Sequence, residues 1–182
     1  MLQLKSALSE FRFDQSHYFA VAESIRSEAV TKGINRQLLK RLSYQELINY
    51  ISCVMYTPDE EITIEVGREA TRATKHWMSL AGIEGIVGLT PKFPIFNPCA
   101  SSQENEYYVQ EFEQRLKDNG IHYLRCLGRA SDYRSGGDGC FMLNCPPHQA
   151  MSLLMDKNSC PTQFAILYLP YESPAQLISC ID

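Results

Sequence analysis

The second half of the sequence alternates short apolar runs with amphipathic helical segments, and this order restricts its fold more than any other feature. The apolar runs predict strands at residues 93–96, 121–127, 140–144 and 164–169. Two helices lie between them, one starting at Ser101 with Glu104 as capping-box partner and one at Pro146 and Pro147. The order β-α-β-β-α-β is that of the ferredoxin-like fold or a related small sandwich. We expect a tail to follow from Pro170.

The first half shows helical periodicity and capping signals instead. A helix is predicted near residues 16–32, and Ser43 with Glu46 forms a capping box for the next one. Thr57 and Pro58, followed by three acidic residues, are typical of a third helix start. From there an apolar stripe steps by three or four residues through Ile62, Val66, Ala70, Ala73, Trp77 and Leu80. The stripe predicts one continuous helix.

Gly82 and Gly85 end the helical region, and prolines punctuate the chain soon afterwards. We place a boundary at residues 85–92, which divides the 182 residues into a helical region, 1–88, and a small α/β domain, 89–182. An apolar helical stripe beside a small sheet also favours one shared core. The predicted fold class is α+β, with a helical N-terminal half joined to a small ferredoxin-like or related C-terminal half.

Composition limits the functional classes. The 17 Lys and Arg against 21 Asp and Glu give a net charge of -4, which argues against general binding to nucleic acids or anionic membranes. No apolar run approaches the roughly 18 residues that a membrane-spanning helix needs, and the start of the chain lacks the pattern of a signal peptide. The seven cysteines form no regular framework and fit reduced thiols. We therefore expect a cytoplasmic protein.

Four polar residues of the second half form a candidate ligand site: Asn97, Ser101, Asn105 and Arg129. A strand that leads into a capped helix directs backbone N–H groups outward, and such helix starts bind anions. Asparagine offers both a donor and an acceptor, which suits a base, an amide or a ribose. The alternative is that Asn97 and Pro98 form a turn and that Ser101 is only a helix cap.

Two cysteines beside predicted helix starts, Cys99 and Cys145, are candidate reactive thiols, because a helix start lowers the pKa of a thiol. Neither has a recognisable catalytic partner, and a buried core thiol is the alternative. Cys140 and Cys145 lie five positions apart on a predicted strand, which directs their side chains to opposite faces. We therefore expect no metal site from Cys140, Cys145, His148 and Cys160, and no cofactor.

Residues 96–101, followed by Asn105, resemble the bacterial domain-of-unknown-function family 3293. In that family a strand runs into Asn-Pro, a serine follows, and an asparagine lies early on the next helix. Later parts of the family are similar to residues 128–129, 140–143, 149–154 and 164–169. The resemblance covers residues 91–169 and implies a fold and candidate positions, but no activity.

These observations support two hypotheses about function. The first is a non-catalytic protein-interaction or regulatory module, in which the helical surface and a sheet edge bind a protein partner or a second copy of the chain. The lack of any complete catalytic constellation in the sequence motivates it. The second is a small-molecule or nucleotide-binding enzyme that uses Asn97, Ser101, Asn105 and Arg129.

Overall fold

A computed structural model of the protein describes residues 15–32, 34, 39–40, 44–90, 102–129, 136–154 and 165–180. The described helices are α1 (Gln15–Thr31), α2 (Tyr44–Ile51), α3 (Arg72–Ala81), α4 (Ser102–Asp118) and α5 (Pro147–Leu154). The described strands are β1 (Val54–Tyr56), β2 (Thr63–Glu65), β3 (Gly85–Leu89), β4 (Tyr123–Arg129), β5 (Gly136–Leu143), β6 (Ala165–Pro170) and β7 (Gln176–Ser179).

These strands form one antiparallel sheet in the order β2-β1-β4-β5-β3-β6-β7. The sheet curls into a half-barrel. β3 lies inside it, with Ile86 opposite Leu143 of β5 and Leu169 of β6. All of β3 is buried, as expected of a strand that is covered on both faces.

Two apolar clusters cover the two faces of the sheet. Alternation along β5 directs Phe141 to one face and Met142 to the other. Residues of α1, α2 and α3 pack on the face of Phe141, among them the fully buried Met78. Residues of α4 and α5 pack on the face of Met142, among them Phe112 and Ala150. The protein is therefore a sheet between two layers of helices.

The class α+β is confirmed, but the division into a helical N-terminal half and a ferredoxin-like C-terminal half is wrong. The first half of the chain contributes β1, β2 and β3 to the same sheet as the second half. From the helix after residue 101 onward the predicted order is present, as α4-β4-β5-α5-β6. β3 is not among the predicted strands, and with β4, β5 and β6 it forms only the middle of the sheet. A four-stranded sheet would leave β4 and β6 as edges, and β1 and β7 pair with them instead.

The helix predicted to start at Thr57 does not form there. Residues 57–62 make the turn between β1 and β2, and Ile62, Ile64 and Val66 are buried. Steps of two residues share one face of a strand, so the step of four between Ile62 and Val66 fits a strand as well as a helix. Ile64 distinguishes the two, because a helix would place it on the opposite face.

The helical part of the predicted stripe is confined to α3. This helix begins after Thr71, whose hydroxyl accepts the backbone N–H of Thr74 at 3.1 Å. It ends at Gly82, where a φ of 65° requires the left-handed conformation that suits glycine. Trp77 packs against the core, whereas Leu80 is 76% exposed. The predicted end of the helix is confirmed, and its predicted start and buried stripe are wrong.

The other helices predicted from capping signals are confirmed as α1, α2, α4 and α5. The predicted strands 121–127, 140–144 and 164–169 correspond to β4, β5 and β6, with shifts at their ends. The predicted tail contains a further strand, β7, which pairs with β6. The strand predicted at residues 93–96 lies outside the described residues, and β3 precedes it.

Candidate functional site

β4 is longer than β1, the strand that pairs with one of its edges. Tyr56, the last residue of β1, lies opposite Leu127, and β1 pairs with β4 only from Leu127 to Arg129. On its other edge β4 pairs with β5 along its whole length, starting at Tyr123. Among the described residues, positions 123–126 of β4 therefore have a strand neighbour on one edge only.

The alternation of backbone hydrogen bonds identifies the groups that face this open edge. The N–H of Leu143 on β5 donates to the C=O of His122 at 2.8 Å, so the backbone groups of His122 are directed toward β5. Successive residues of an antiparallel strand direct their backbone groups to opposite neighbours. Tyr123 and Arg125 therefore direct their N–H and C=O groups away from β5, to the side on which β1 has ended.

Pro58 provides a local reason for the end of β1. Because Tyr56 pairs with Leu127, a strand that continued for two more residues would place Pro58 opposite Arg125. Proline has no N–H to donate, so it cannot extend the pairing at this position. The chain turns toward β2 instead, and the edge of β4 stays open.

The turn of residues 57–62 lies at one end of the open edge, and hydrogen bonds connect the polar groups of this turn. The N–H of Thr57 donates to the C=O of Ile62 at 3.0 Å, and the N–H of Ile62 donates to the Thr57 hydroxyl at 3.1 Å. That hydroxyl in turn donates to a carboxylate oxygen of Asp59. The same oxygen accepts the N–H of Glu61 at 3.2 Å, so the carboxylate of Asp59 is held in place.

The open edge and the turn border a cleft of about 290 Å³, which we call the β4 cleft. Its lining residues are Thr57, Pro58, Asp59, Glu61, Ile62, Trp77, Leu124 and Arg125. Leu124 and Trp77 also pack against the core on the side of α1 to α3, so they form apolar walls of the cleft. Its volume lies at the lower end of the range for small-molecule pockets, which favours a side chain or short segment as occupant.

The carboxylate of Asp59 is a permanent negative charge in the β4 cleft. The hydrogen bond from the Thr57 hydroxyl lowers the pKa of Asp59, and the N–H of Glu61 acts in the same direction. Asp59 is therefore ionised throughout the neutral range. Within the described part of the chain, neither Asp59 nor Glu61 has an ion-pair partner.

The positive charge of Arg125 is compensated by Glu113 of α4. The guanidinium Nε donates to Oε1 of Glu113 at 2.6 Å, and a terminal nitrogen donates to Oε2 at 3.0 Å. The side chain of Glu113 is only 9% exposed, whereas that of Arg125 is 57% exposed. The hydrogen bonds and the charge of Glu113 raise the pKa of Arg125. The net charge that the β4 cleft offers to a ligand is therefore negative.

The structure describes only part of the ligand site predicted from sequence. Asn97 and Ser101 lie outside the described residues, as does the side chain of Asn105, whose backbone is in the first turn of α4. Arg129 ends β4, with its guanidinium 5.7 Å from the ring centroid of Tyr56. That geometry is a cation–π contact. Convergence of the four residues on one ligand stays a prediction.

The five described cysteines, Cys53, Cys126, Cys140, Cys145 and Cys180, form no disulfide. Burial raises the pKa of Cys53 to about 11, of Cys140 to about 12 and of Cys180 to about 11. It also raises the pKa of Cys126 and Cys145. A thiol with a raised pKa is protonated at neutral pH and is a poor nucleophile.

Cys145 is a candidate reactive thiol from its position before the start of α5. Burial raises the pKa of Cys145, and this is the larger effect. A hydrogen bond with the backbone of Ala150 in α5 acts in the opposite direction and lowers the pKa. The environment of Cys145 therefore disfavours the thiolate. The other candidate, Cys99, lies outside the described residues, as does Cys160. In the segments that the structure describes, no three His, Cys, Asp or Glu side chains are grouped to hold a metal ion.

Comparisons of the chain with protein-family models, with curated proteins and with solved structures give no match. The resemblance of residues 91–169 to a bacterial family therefore stays a prediction. None of the described helices is long and apolar enough to cross a membrane.

The sequence pattern predicts other roles for the residues of the β4 cleft. The sequence favours Asp59 and Glu61 as first-turn charges of a helix, and Trp77 as part of the apolar stripe of that helix. Pro58 is typical of a helix start, but in the structure it follows the end of a strand. The alternation of Ile62 and Ile64 was the signal that would have identified β2 and the turn before it.

Proposed function

We propose that the protein is a non-catalytic protein-interaction module, which binds an extended, basic segment of a partner protein in the β4 cleft. The observation that carries this proposal is made on the described residues: one cleft combines an edge of β4 that pairs with no described strand, apolar walls, and two carboxylates that have no described counter-charge. Peptide-binding domains use the same three elements for affinity, side-chain selection and charge selection.

Charge supports a basic rather than an acidic partner. Asp59 is ionised at neutral pH and Glu61 lines the same cleft, whereas the charge of Arg125 is matched by Glu113. The chain as a whole carries a net charge of -4, which adds a long-range attraction for a positive segment. A Lys or Arg of the partner would therefore be favoured in encounter and in the complex.

The state of the cysteines supports a binding role over thiol chemistry. Each of the five described thiols has a raised pKa, so none is poised as a nucleophile at neutral pH. In the β4 cleft itself the titratable side chains are Asp59, Glu61 and Arg125. Asp59 and Arg125 are fixed in their charged forms by hydrogen bonds, which suits recognition of charge better than proton transfer.

Selection from a library of short random peptides tests this function. We expect the peptides that bind the wild-type protein to be enriched in Lys or Arg. The Asp59→Asn, Glu61→Gln double variant should bind them about 3- to 30-fold more weakly, as expected for the loss of two exposed ion pairs. Asparagine at position 59 can still accept the hydrogen bonds of the turn, so the fold is preserved.

A matched control removes the same number of charges from α4. The Glu111→Gln, Asp118→Asn variant leaves the β4 cleft intact and should bind the selected peptides like the wild type. Selection of peptides without basic residues, or equal weakening by the two double variants, would contradict the proposed function. Binding is measured by fluorescence anisotropy of labelled peptides at two salt concentrations, since a charge-dependent complex weakens with added salt.

A further inference from the structure

We infer that the partner segment binds as an additional β-strand, hydrogen-bonded to the backbone of Tyr123 and Arg125 and in line with β1. This inference rests on the proposed function and specifies how the same cleft is used. The open edge of β4 presents the N–H and C=O groups of these two residues on the side away from β5. A strand edge with unpaired groups is a template for the backbone of another chain.

The length of the site follows from the strand register. β1 pairs with the edge of β4 as far as Leu127, and no other described strand pairs with this edge at positions 123–126. The turn that begins at Thr57 blocks the end nearest to β1. A partner strand that follows the line of β1 must therefore begin or end at this turn, and only about four of its residues pair with β4.

The direction of the partner strand follows from its neighbours. All pairings between the described strands are antiparallel, and an antiparallel partner of β4 would run in the same direction as β1. Its N-terminal end would then adjoin the turn that carries Asp59 and Glu61. A Lys or Arg at the beginning of the paired segment therefore lies nearest to the carboxylates of the β4 cleft.

The alternation of side chains adds a preference at a second position. The partner residue opposite Leu124 would direct its side chain to the same face as Leu124, where Trp77 forms the other apolar wall. An apolar residue is favoured there. The partner residue opposite Arg125 would lie on the other face, beside the Arg125–Glu113 pair, where polar groups are favoured. The expected segment is thus extended, with a basic residue followed closely by an apolar one.

The test uses the tightest peptide from the library selection and its singly N-methylated analogues, so that the protein remains wild type. On addition of the peptide, the exchange rates of the amide protons of Tyr123 and Arg125 should fall to about one-tenth of their values in the free protein or lower. The exchange rates of Leu124 and Cys126 should change little. N-methylation of a peptide residue that pairs with Arg125 should weaken binding about tenfold. N-methylation of the next residue, whose N–H points away from β4, should have little effect.

The outcomes separate the inference from the proposed function. Peptide binding that depends on Asp59 and Glu61 but leaves exchange at Tyr123 and Arg125 unchanged would overturn strand addition and keep the interaction module. Failure of every peptide to bind would overturn both. A second copy of the chain in the cleft would appear as a concentration-dependent dimer in light scattering, with slow exchange at Tyr123 and Arg125 before peptide is added. That result would overturn the basic peptide as the occupant.

Discussion

We expect replacement of Phe141 by alanine to lower the free energy of unfolding by about 3–5 kcal/mol. Phe141 is fully buried on β5, at the centre of the face covered by α1, α2 and α3. Its ring fills the space above Gly88 of the neighbouring strand, where a built Cβ would lie only 3.1 Å from the ring. The lost ring leaves a cavity that the rigid sheet cannot close. Urea unfolding followed by circular dichroism measures the loss.

The same substitution at Phe112 tests whether the two faces of the sheet unfold together. Phe112 is fully buried on α4, on the opposite face, and we expect a similar loss of about 3–5 kcal/mol. Trp77 is the single tryptophan and lies on α3, so its fluorescence reports on the face that Phe112 does not touch. In each Phe→Ala variant, the unfolding midpoint measured by tryptophan fluorescence and the midpoint measured by circular dichroism should shift by the same amount.

This pair of variants also tests the division of the chain into 1–88 and 89–182. A boundary there passes through β3, which pairs with β5 and β6 inside the sheet. One cooperative transition agrees with a shared core. If the Phe112→Ala variant lowers the midpoint seen by circular dichroism and leaves the Trp77 transition in place, the two regions unfold independently and this account of the fold is wrong.

We expect the Gly139→Ala variant to be destabilised by about 3 kcal/mol. A Cβ at this position of β5 would lie 2.6 Å from the backbone carbonyl oxygen of Leu89, and 3.2 Å from both the sulfur of Cys126 and the Thr90 methyl group. The oxygen belongs to the neighbouring strand and cannot move without displacing β3. Thermal unfolding measures the effect, and larger residues at position 139 should prevent folding.

Gly128 on β4 supplies the matched control, because it lies opposite Gly137 in the same strand pair. A Cβ there would approach only the methyl group of Thr90 closely, at 3.0 Å, and the carbonyl oxygen of Gly137 would lie at an ordinary contact distance of 3.8 Å. We therefore expect Gly128→Ala to cost less than about 1 kcal/mol, since reduced flexibility of the unfolded chain offsets part of the contact. Equal losses of stability in the Gly128→Ala and Gly139→Ala variants would show that contact with the backbone oxygen of Leu89 does not cause the effect.

Much of the local structure was predictable from short-range signals. The capping signal at positions 43 and 46 predicts a helix, and α2 begins at Tyr44; the prolines at 146 and 147 lie at the start of α5. The later part of the predicted order is present as α4-β4-β5-α5-β6. Such signals involve neighbours within one or two turns, so they can be interpreted without knowledge of the tertiary fold.

The errors arose where tertiary contacts decide between two local interpretations. The spacing of Ile62 and Val66 agrees with both a helix and a strand, and pairing of β2 with β1 selects the strand. Short strands such as β1 and β7 carry too few residues for a periodic signal, and their pairing with β4 and β6 decides their structure. Another contact between distant parts of the sequence is a hydrogen bond from the backbone N–H of Glu84 to the side-chain oxygen of Asn144, sixty positions away.

The β4 cleft was beyond sequence analysis for a related reason. It exists because β1 stops at Tyr56 while β4 continues, which depends on the register of two strands far apart in sequence. The hypothesis of a sheet edge that binds a partner came from the sequence, but its position did not. Only the register shows that Asp59 and Trp77 line the same cleft as Arg125.

Amide hydrogen exchange in the ligand-free protein tests the central claim, the open edge of β4, most directly. We predict slow exchange of the amide protons of Leu124 and Cys126, whose backbone N–H groups are directed to β5. We also predict slow exchange at Leu127, whose N–H group is directed to β1. The amide protons of Tyr123 and Arg125 should exchange much faster within the same strand. Exchange at Tyr123 and Arg125 as slow as at Leu127 would show that this edge is already paired, and would contradict the account.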